Sequence, residues 1–367
     1  MKILNINKLY YPFLGGIEKI TQEISEDLNN QADFKIDVLS CQTKGRQTIE
    51  EINGVKVYRA ASFGKSLGMP LSLDFFKLFF NIQKDYDALL IHHPFPLAFL
   101  LLPFIKNKKV FIWYHSDIVR QKIIRNLFSP FLHFGLKKAK KILVSGQEII
   151  NNSPILKKYE NKCIVVPFGV DLEYFCQNEN INNQSLKIRA GFKTPLILSV
   201  GRLVSYKGFK YLITAMKEIN GHLLIIGEGK EEKSLKKLIK NLGLTEKINI
   251  INHVSDLRPF YKACDIFVLP SCQKNEAFGL VQIEAMAYGK AIINTDIKSA
   301  VKEVSLNNVS GYTVKAKSAQ ALVEAIDKII INRELQNRFG QAARIRVEKI
   351  FNKKIFIQKL TEALKLN

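Results

Sequence analysis

Short apolar runs alternate with longer amphipathic stretches along the whole chain. In the first half KILNINKLY, FKIDVLSCQ, ALLIHHP, VFIWYHS, KILVSG and CIVVPFGV read as strands, and Gly16 to Asn30 carries apolar residues at helical spacing. Strands that alternate with helices predict parallel sheets joined by crossover helices, which is an α/β class. After Asp171 the pattern breaks into the Asn-rich EYFCQNENINNQSLKIRAGFKT, so an interdomain linker is expected near Gln177 to Thr194. The rhythm then resumes. LILSVGRL, HLLIIGEG, INIINHV, IFVLPS and AIINTD read as strands, with helices at Gly208–Asn220, Glu231–Leu242 and Phe278–Tyr288 and more helix beyond Ala319. The expectation is two Rossmann-like doubly wound domains facing across a cleft, 1–180 and 181–345, followed by a helical segment at 346–367.

Length agrees, since 367 residues exceed one core at about 150 residues per domain. A composition that is 47% hydrophobic and 24% charged excludes collagen-like and largely disordered classes. The opening MKILNINKLYYPF has no apolar core ending at a small-residue cleavage site, so no export signal is expected. The longest apolar stretch, around Phe95 to Ile105, contains Pro96 and Pro103 and falls short of the roughly 20 residues of a spanning helix. Cys41, Cys163, Cys176, Cys264 and Cys272 form no CxxC pattern, which fits neither a disulfide framework nor a zinc knuckle and suits a reducing cytoplasm.

Charge adds a partner class. Lys plus Arg outnumber Asp plus Glu by 55 to 33, a formal +22, so an anionic partner is expected: a nucleotide, a nucleic acid or an anionic membrane surface. Between Lys106 and Lys141 the basic residues face a single acidic one, Asp117, and are interleaved with Ile123, Ile124, Leu127, Phe128, Phe131, Leu132, Phe134 and Leu136. Such a basic, aromatic-rich helix suits a bilayer surface, and equally a core helix with a solvated basic end.

In doubly wound sheets ligands bind at the carboxyl ends of strands, so the loops just after strands hold the candidate chemistry. Gly15-Gly16 follows a strand and opens a helix, which lets backbone amides approach an anion, although no G-x-G-x-x-G fingerprint is present. In GRLVSYKG, Arg202 offers a planar fork and Lys207 a point charge, together suited to a diphosphate. After IFVLP comes SCQKNEAFGLVQIEAMA. Glu276 lies in its loop, and Glu284 lies in an apolar helix where a carboxylate needs partners such as ribose hydroxyls. The amides of Phe278, Gly279 and Leu280 are expected to form that helix's N-terminus, a further anion site.

Taken in order, the Gly15-Gly16 loop, PFGVDLEYF, GRLVSYKG, LLIIGEG and the E-x7-E element EAFGLVQIE resemble the retaining GT-B glycosyltransferases of family 4 over nearly the whole chain. The segment His115-Ser116-Asp117-Ile118-Val119-Arg120-Gln121 is similar to the mannosyl/rhamnosyltransferase subgroup of surface-polysaccharide assembly. The resemblance implies a GT-B fold in which the N-terminal domain takes the acceptor, the C-terminal domain binds the nucleotide sugar and the last helix crosses back to the first domain. It implies that Arg202 and Lys207 hold the donor diphosphate, Glu284 the ribose, Glu276 with the following amides the transferred sugar, and Gly16 the phosphates. It places His115 near the sugar, so His115 and Glu276 are the candidate catalytic residues.

The implied activity is metal-independent hexosyl transfer, from GDP-mannose or else a UDP- or dTDP-sugar, to a lipid-linked glycan at the inner face of the membrane. No cofactor is expected beyond that donor substrate. Asp85-Tyr86-Asp87 has the D-x-D form that binds metal in the other major glycosyltransferase fold, but it precedes its strand and reads as a strand-flanking pair. His92 and His93 sit next to each other, so on a strand they point to opposite faces and cannot share a metal; they read as a loop element near the acceptor. A nucleic-acid-binding protein driven by charge, and a noncatalytic donor-binding relative, are the alternatives. No nucleic-acid-binding motif is evident, so no specific nucleic acid is expected as a partner.

Overall fold

Strands buried on both faces are nearly continuous in apolar character, and that is how most of this chain's strands are built. The computed structural model describes residues 1–13, 15–66, 68–117, 122–176 and 178–366, with backbone alone over 122–127. The chain forms two compact units, Met1–Val166 with Ile357–Asn367, and Pro167–Phe356.

The first unit contains β1 (Lys2–Ile6), β2 (Lys35–Cys41), β3 (Thr48–Ile52), β4 (Val55–Ala60), a two-residue pair β5 (Lys65–Ser66) and β6 (Met69–Pro70), then β7 (Ala88–His93), β8 (Lys109–Tyr114), β9 (Lys141–Val144) and β10 (Cys163–Val165). Its main sheet runs β10-β9-β8-β7-β1-β2-β4-β3, parallel except where β3 meets β4. That antiparallel hairpin turns at Asn53 and Gly54, with φ of 50° and 76°. Two successive left-handed residues are what a two-residue hairpin turn requires, and Asn-Gly supplies them with least strain. Its outer strand is exposed and carries Glu50 and Glu51, charges that discourage pairing with another chain.

The second unit contains β11 (Leu196–Val200), β12 (His222–Ile226), β13 (Ile248–Ile251), β14 (Ile266–Val268), β15 (Ala291–Asp296) and β16 (Gly311–Lys315). These form one parallel sheet in the order β13-β12-β11-β14-β15-β16. Its core joins Ile197, Ile225, Val268 and Ile293 of the sheet to Leu212 and Ile213 of helix Phe209–Ala215 and Ile326 of helix Ala319–Ile330. Each sheet has one place where the strand order reverses, between β1 and β7 in the first unit and between β11 and β14 in the second. There the connections leave to opposite sides and a crevice opens at the carboxyl ends.

Two expectations are corrected. The Asn-rich stretch expected as a linker is the helix Glu179–Ala190, capped by Asn178 Oδ1 accepting from the Ile181 amide at 2.9 Å. Its apolar face is only Ile181 with Ser185, too narrow to stand out from the polar run, and the division falls instead at Val166/Pro167. The closing segment is two helices, Arg333–Ile350 and Lys353–Lys365. They break at Phe351 and Asn352, where the Phe351 carbonyl and the Lys353 amide bond to the backbone of Val170 at 2.8 and 3.0 Å. In the first unit the Thr361 hydroxyl donates to Gln31 at 3.1 Å and Lys365 pairs with Asp33. Among the described residues no helix is long and apolar enough to cross a membrane.

Gly54 has open space where a Cβ would stand, so Gly54→Ala tests backbone conformation alone. The expected cost is about 1 kcal/mol, read as a lower urea midpoint at unchanged m-value. An unchanged midpoint would mean that the hairpin does not depend on this turn.

Candidate functional site

At the β11/β14 reversal the two outgoing loops touch. Gly208 has φ of 71°, and a Cβ on it would lie 2.1 Å from the Pro270 carbonyl oxygen, so only glycine satisfies both the left-handed backbone and the close approach. The Cys272 amide donates to the Tyr206 carbonyl at 2.7 Å and ties the loops together. Lys207, on the turn Ser205–Lys207, is thereby carried onto the loop after β14. Its Nζ lies 2.6 Å from Glu276 Oε2, and the Ser271 hydroxyl donates to the same oxygen at 2.9 Å. Both charged side chains are about one-tenth exposed, at 9% and 10%. An ammonium has three donors, so the ion pair leaves Lys207 with capacity for an additional anionic oxygen.

The two cations expected to act together differ in setting. Lys207 is buried and ion-paired, whereas Arg202 is exposed and donates from Nη2 to the Tyr206 hydroxyl at 3.0 Å. Glu284 is buried as expected, and its Oε2 accepts a 2.7 Å bond from the Tyr261 hydroxyl. Burial, with the Glu284 carboxylate beside it, holds the Tyr261 phenol well above its ordinary range, so it remains a donor. The helix carrying Glu284 runs Leu280–Ala287, two residues shorter at its start than expected, with Gly279 at its N-cap in the left-handed conformation, φ 78°. Phe278 therefore precedes the helix, and its ring packs edge-on against Phe168 and Phe351. Of the first amides, that of Gln282 bonds the Gly279 carbonyl at 2.9 Å.

Sequence reasoning missed the role of Ser271, five residues before Glu276 on the same loop, and of Tyr261, which reaches Glu284 from another helix. It also missed Gln282, wholly buried, whose side-chain oxygen accepts from Asn294 at 2.9 Å. The available signal was the one used for Glu284: a polar side chain inside an apolar helix.

In the first unit, helix Gly16–Asn29 follows β1 with Gly15 as its N-cap. Leu14 of this loop lies outside the described residues. A Cβ on Gly15 would lie 2.1 Å from Glu18 Oε2, so the protein's own carboxylate folds over the helix start expected to receive an anion. His115 directly follows β8 and is buried, with Nε2 2.9 Å from His92 Nδ1; His92 Nε2 in turn is 2.9 Å from Asn5 Oδ1. Asp117 accepts from the hydroxyls of Tyr114 at 2.6 Å and Ser153 at 2.8 Å. Ile118 to Gln121, the rest of the subgroup-like segment, lie outside the described residues.

His92 and His93 are the last two residues of β7, a correction to the expected loop element. They do face opposite ways, His92 stacking near Trp113 and His115, and His93 stacking on Tyr114 with centroids 4.4 Å apart. Burial depresses His92 and His93 to about 3. Burial holds His115 well below its ordinary range too, with His92, His93 and Lys8 acting in the same direction. All three rings are neutral near pH 7. Asp87 accepts from the Lys2 amide at 2.7 Å, which makes the D-x-D element a strand-start cap. Among the described residues no three His, Cys, Asp or Glu side chains are grouped to hold a metal ion.

The basic segment includes helix Lys122–Lys138. Ile123, Ile124 and Leu127 lie outside the described side chains. Phe128, Leu132 and Leu136 are buried, whereas Phe131 and Phe134 are exposed, with Lys138 over the Phe134 ring at 5.9 Å. Its apolar residues thus divide between core and surface.

Removing one member of a buried ion pair leaves the other charge uncompensated. Lys207→Met and Glu276→Leu are each expected to cost about 3–5 kcal/mol of stability. The double variant should fall short of the sum by about 0.5–3 kcal/mol. Denaturant unfolding of the four proteins measures this, and strict additivity would show that the pair contributes no coupling.

Comparison with known proteins assigns the family. The family described as "Glycosyltransferase Family 4" matches residues 14–174, and "Glycosyl transferases group 1" matches residues 181–346. The chain is 28% identical to "O-antigen chain mannosyltransferase C" of Escherichia coli, covering 96% of this chain and 94% of that protein. It is 24% identical to "D-rhamnosyltransferase WbpZ" of Pseudomonas aeruginosa, covering 96% and 92%. Among solved structures, Anabaena Alr3699/HepE in complex with UDP superposes with a TM-score of 0.82 at 18% identity, covering 99% of each chain. With both α/β units accounted for, the chain belongs to the GT-B glycosyltransferases of the family 4 kind.

Proposed function

We propose that this glycosyltransferase transfers a hexose, with retention of anomeric configuration and without a metal ion, from a nucleotide-diphosphate sugar to a lipid-linked glycan in bacterial surface-polysaccharide synthesis. GDP-mannose is the first choice of donor, and a UDP- or dTDP-sugar the next. The carrying observation is the buried Lys207–Glu276 pair at the strand-order reversal of the second unit, with Arg202 on the loop after β11 and Glu284 in the helix that follows the loop after β14. The mannosyl- and rhamnosyltransferase names of the relatives support the polysaccharide setting, and the UDP complex of the structural neighbour supports a nucleotide donor.

In this reading Lys207 and Arg202 neutralise the diphosphate. Glu284, oriented by Tyr261, accepts from ribose hydroxyls. Glu276, oriented by Ser271 and Lys207, accepts from hydroxyls of the transferred sugar, and the amides around Gly279 and Leu280 approach its phosphate side. The family resemblance assigns Gly15 and Gly16 to the phosphates and His115 to the sugar.

The bond from the anomeric carbon to the β-phosphate oxygen breaks as positive charge develops on the sugar. The acceptor oxygen bonds on the same face, and its proton passes to the departing phosphate. Fixed cations stabilise the leaving diphosphate without reorganising, which is where a preorganised site lowers a barrier. No cofactor takes part beyond the donor. The acceptor's lipid suggests peripheral attachment at the inner membrane face through Phe131, Phe134 and the lysines near them.

Thermal unfolding with GDP-mannose, UDP-glucose, UDP-GlcNAc, dTDP-rhamnose, GDP and UDP tests the donor. A ligand at about 100 times its Kd should add about 2.7 kcal/mol, with one base preferred and transfer insensitive to EDTA. Glu276→Gln should lower kcat at least tenfold while nucleotide binding changes less. No shift with any nucleotide, together with salt-sensitive binding to nucleic acid, would sink this reading in favour of a charge-driven nucleic-acid binder. For the membrane, replacing Lys137, Lys138, Lys140 and Lys141 with Gln should reduce pelleting with anionic vesicles, and unchanged pelleting would remove this face from the proposal.

A further inference from the structure

Hydrogen-bond accounting in the first unit determines more about His115 than its position. The Ser25 hydroxyl donates its only proton to the Thr21 carbonyl at 2.7 Å. Its oxygen can therefore only accept from Asn5, 3.0 Å away, so the Asn5 atom there is the NH2 group. The same nitrogen faces the Thr21 carbonyl at 3.5 Å, a second pure acceptor. Asn5 must then turn its oxygen to His92 Nε2, 2.9 Å away, and that nitrogen must carry a proton. In a neutral ring the other nitrogen, Nδ1, is a lone-pair acceptor, and the atom it meets at 2.9 Å is His115 Nε2.

We infer that Asn5 and His92 are positioning residues that hold His115 in the single neutral tautomer with its proton on Nε2, leaving Nδ1 as its lone-pair atom. The inference rests on the reading above, in which His115 meets the sugar, and deepens it. Whatever group contacts His115 Nδ1 must be a donor. A neutral His115 is excluded as a cation for phosphate. Neutrality follows from the surroundings: His92, His93 and His115 are all buried, which disfavours the charged form of each, and the cation Lys8 acts on His115 in the same direction. A chain of three side chains, each leaving the next one allowed orientation, resembles the way a partner of a catalytic histidine sets which nitrogen reacts.

The test is imidazole 15N NMR on the full chain together with kinetics of Asn5→Asp. The wild-type spectrum should show His92 and His115 as neutral rings protonated at Nε2. In Asn5→Asp a carboxylate facing His92 Nε2 should convert His92 to an imidazolium, whose Nδ1–H donates to His115 Nε2. The proton of His115 then moves to Nδ1, and kcat should fall about tenfold to hundredfold with donor KM little changed.

A wild-type His115 protonated at Nδ1, or doubly protonated, would overturn the inference whether or not the variant folds. So would a folded Asn5→Asp with a switched His115 tautomer and unchanged kcat. His115→Phe separates the two levels: full turnover in that variant would remove His115 from the reaction while leaving the wild-type tautomer signal intact.

Discussion

A parallel sheet is extended only through crossovers, and where the crossovers change side, two adjacent strand ends are left uncovered. Each unit of this protein has one such place, and the candidate chemistry of each is gathered there. In the first unit the loop after β1 carries Gly15 and Gly16, and at the end of β7 His92 meets His115, which follows the neighbouring β8. In the second unit the loops after β11 and β14 carry Arg202, Lys207 and Glu276 and bring Lys207 to Glu276. Gly208 follows from the same constraint, because the loops leaving adjacent strands pass close enough at Gly208 and Pro270 that a side chain has no room.

Within the second unit the local problem is buried charge. A buried lysine and a buried glutamate are each costly alone, and together they are tolerated because they lie 2.6 Å apart with Ser271 supplying a further donor. The same logic recurs at Glu284 with Tyr261 and, without charge, at Gln282 with Asn294. Glu276, Glu284 and Gln282 are held by protein partners before any ligand arrives. Such fixed orientation is what lets a site stabilise developing charge without rearranging.

The first unit solves a different problem. Around His115 the buried polar groups are the imidazole of His92 and the amide of Asn5, ordered by directional hydrogen bonds. On the proposed reading this division matches the substrate, with charge gathered where a diphosphate binds and neutral donors and acceptors where hydroxyl groups are sorted. The Glu18 carboxylate lies over Gly15 at the start of helix Gly16–Asn29.

The sequence by itself determined the strand and helix rhythm, because strands buried on both faces must be apolar throughout and so are visible without context. It also located Arg202, Lys207, Glu276 and His115, because each follows or closely succeeds a recognisable strand, and Glu284, because it is a carboxylate inside an apolar helix. It did not disclose the β3–β4 hairpin, although Asn53-Gly54 is a turn signal, since the outer strand is an exposed edge with no apolar face to read. Nor did it disclose that the Asn-rich stretch is a capped helix, whose buried side is two residues wide. What only the tertiary structure decided is who meets whom. Lys207 finds Glu276 across a loop-to-loop contact, Tyr261 finds Glu284 from another helix, and His92 lies between His115 and Asn5, which is 87 residues away in the chain. Hydrogen bonds and ion pairs act over a few ångströms, and folding, not spacing along the chain, sets those distances.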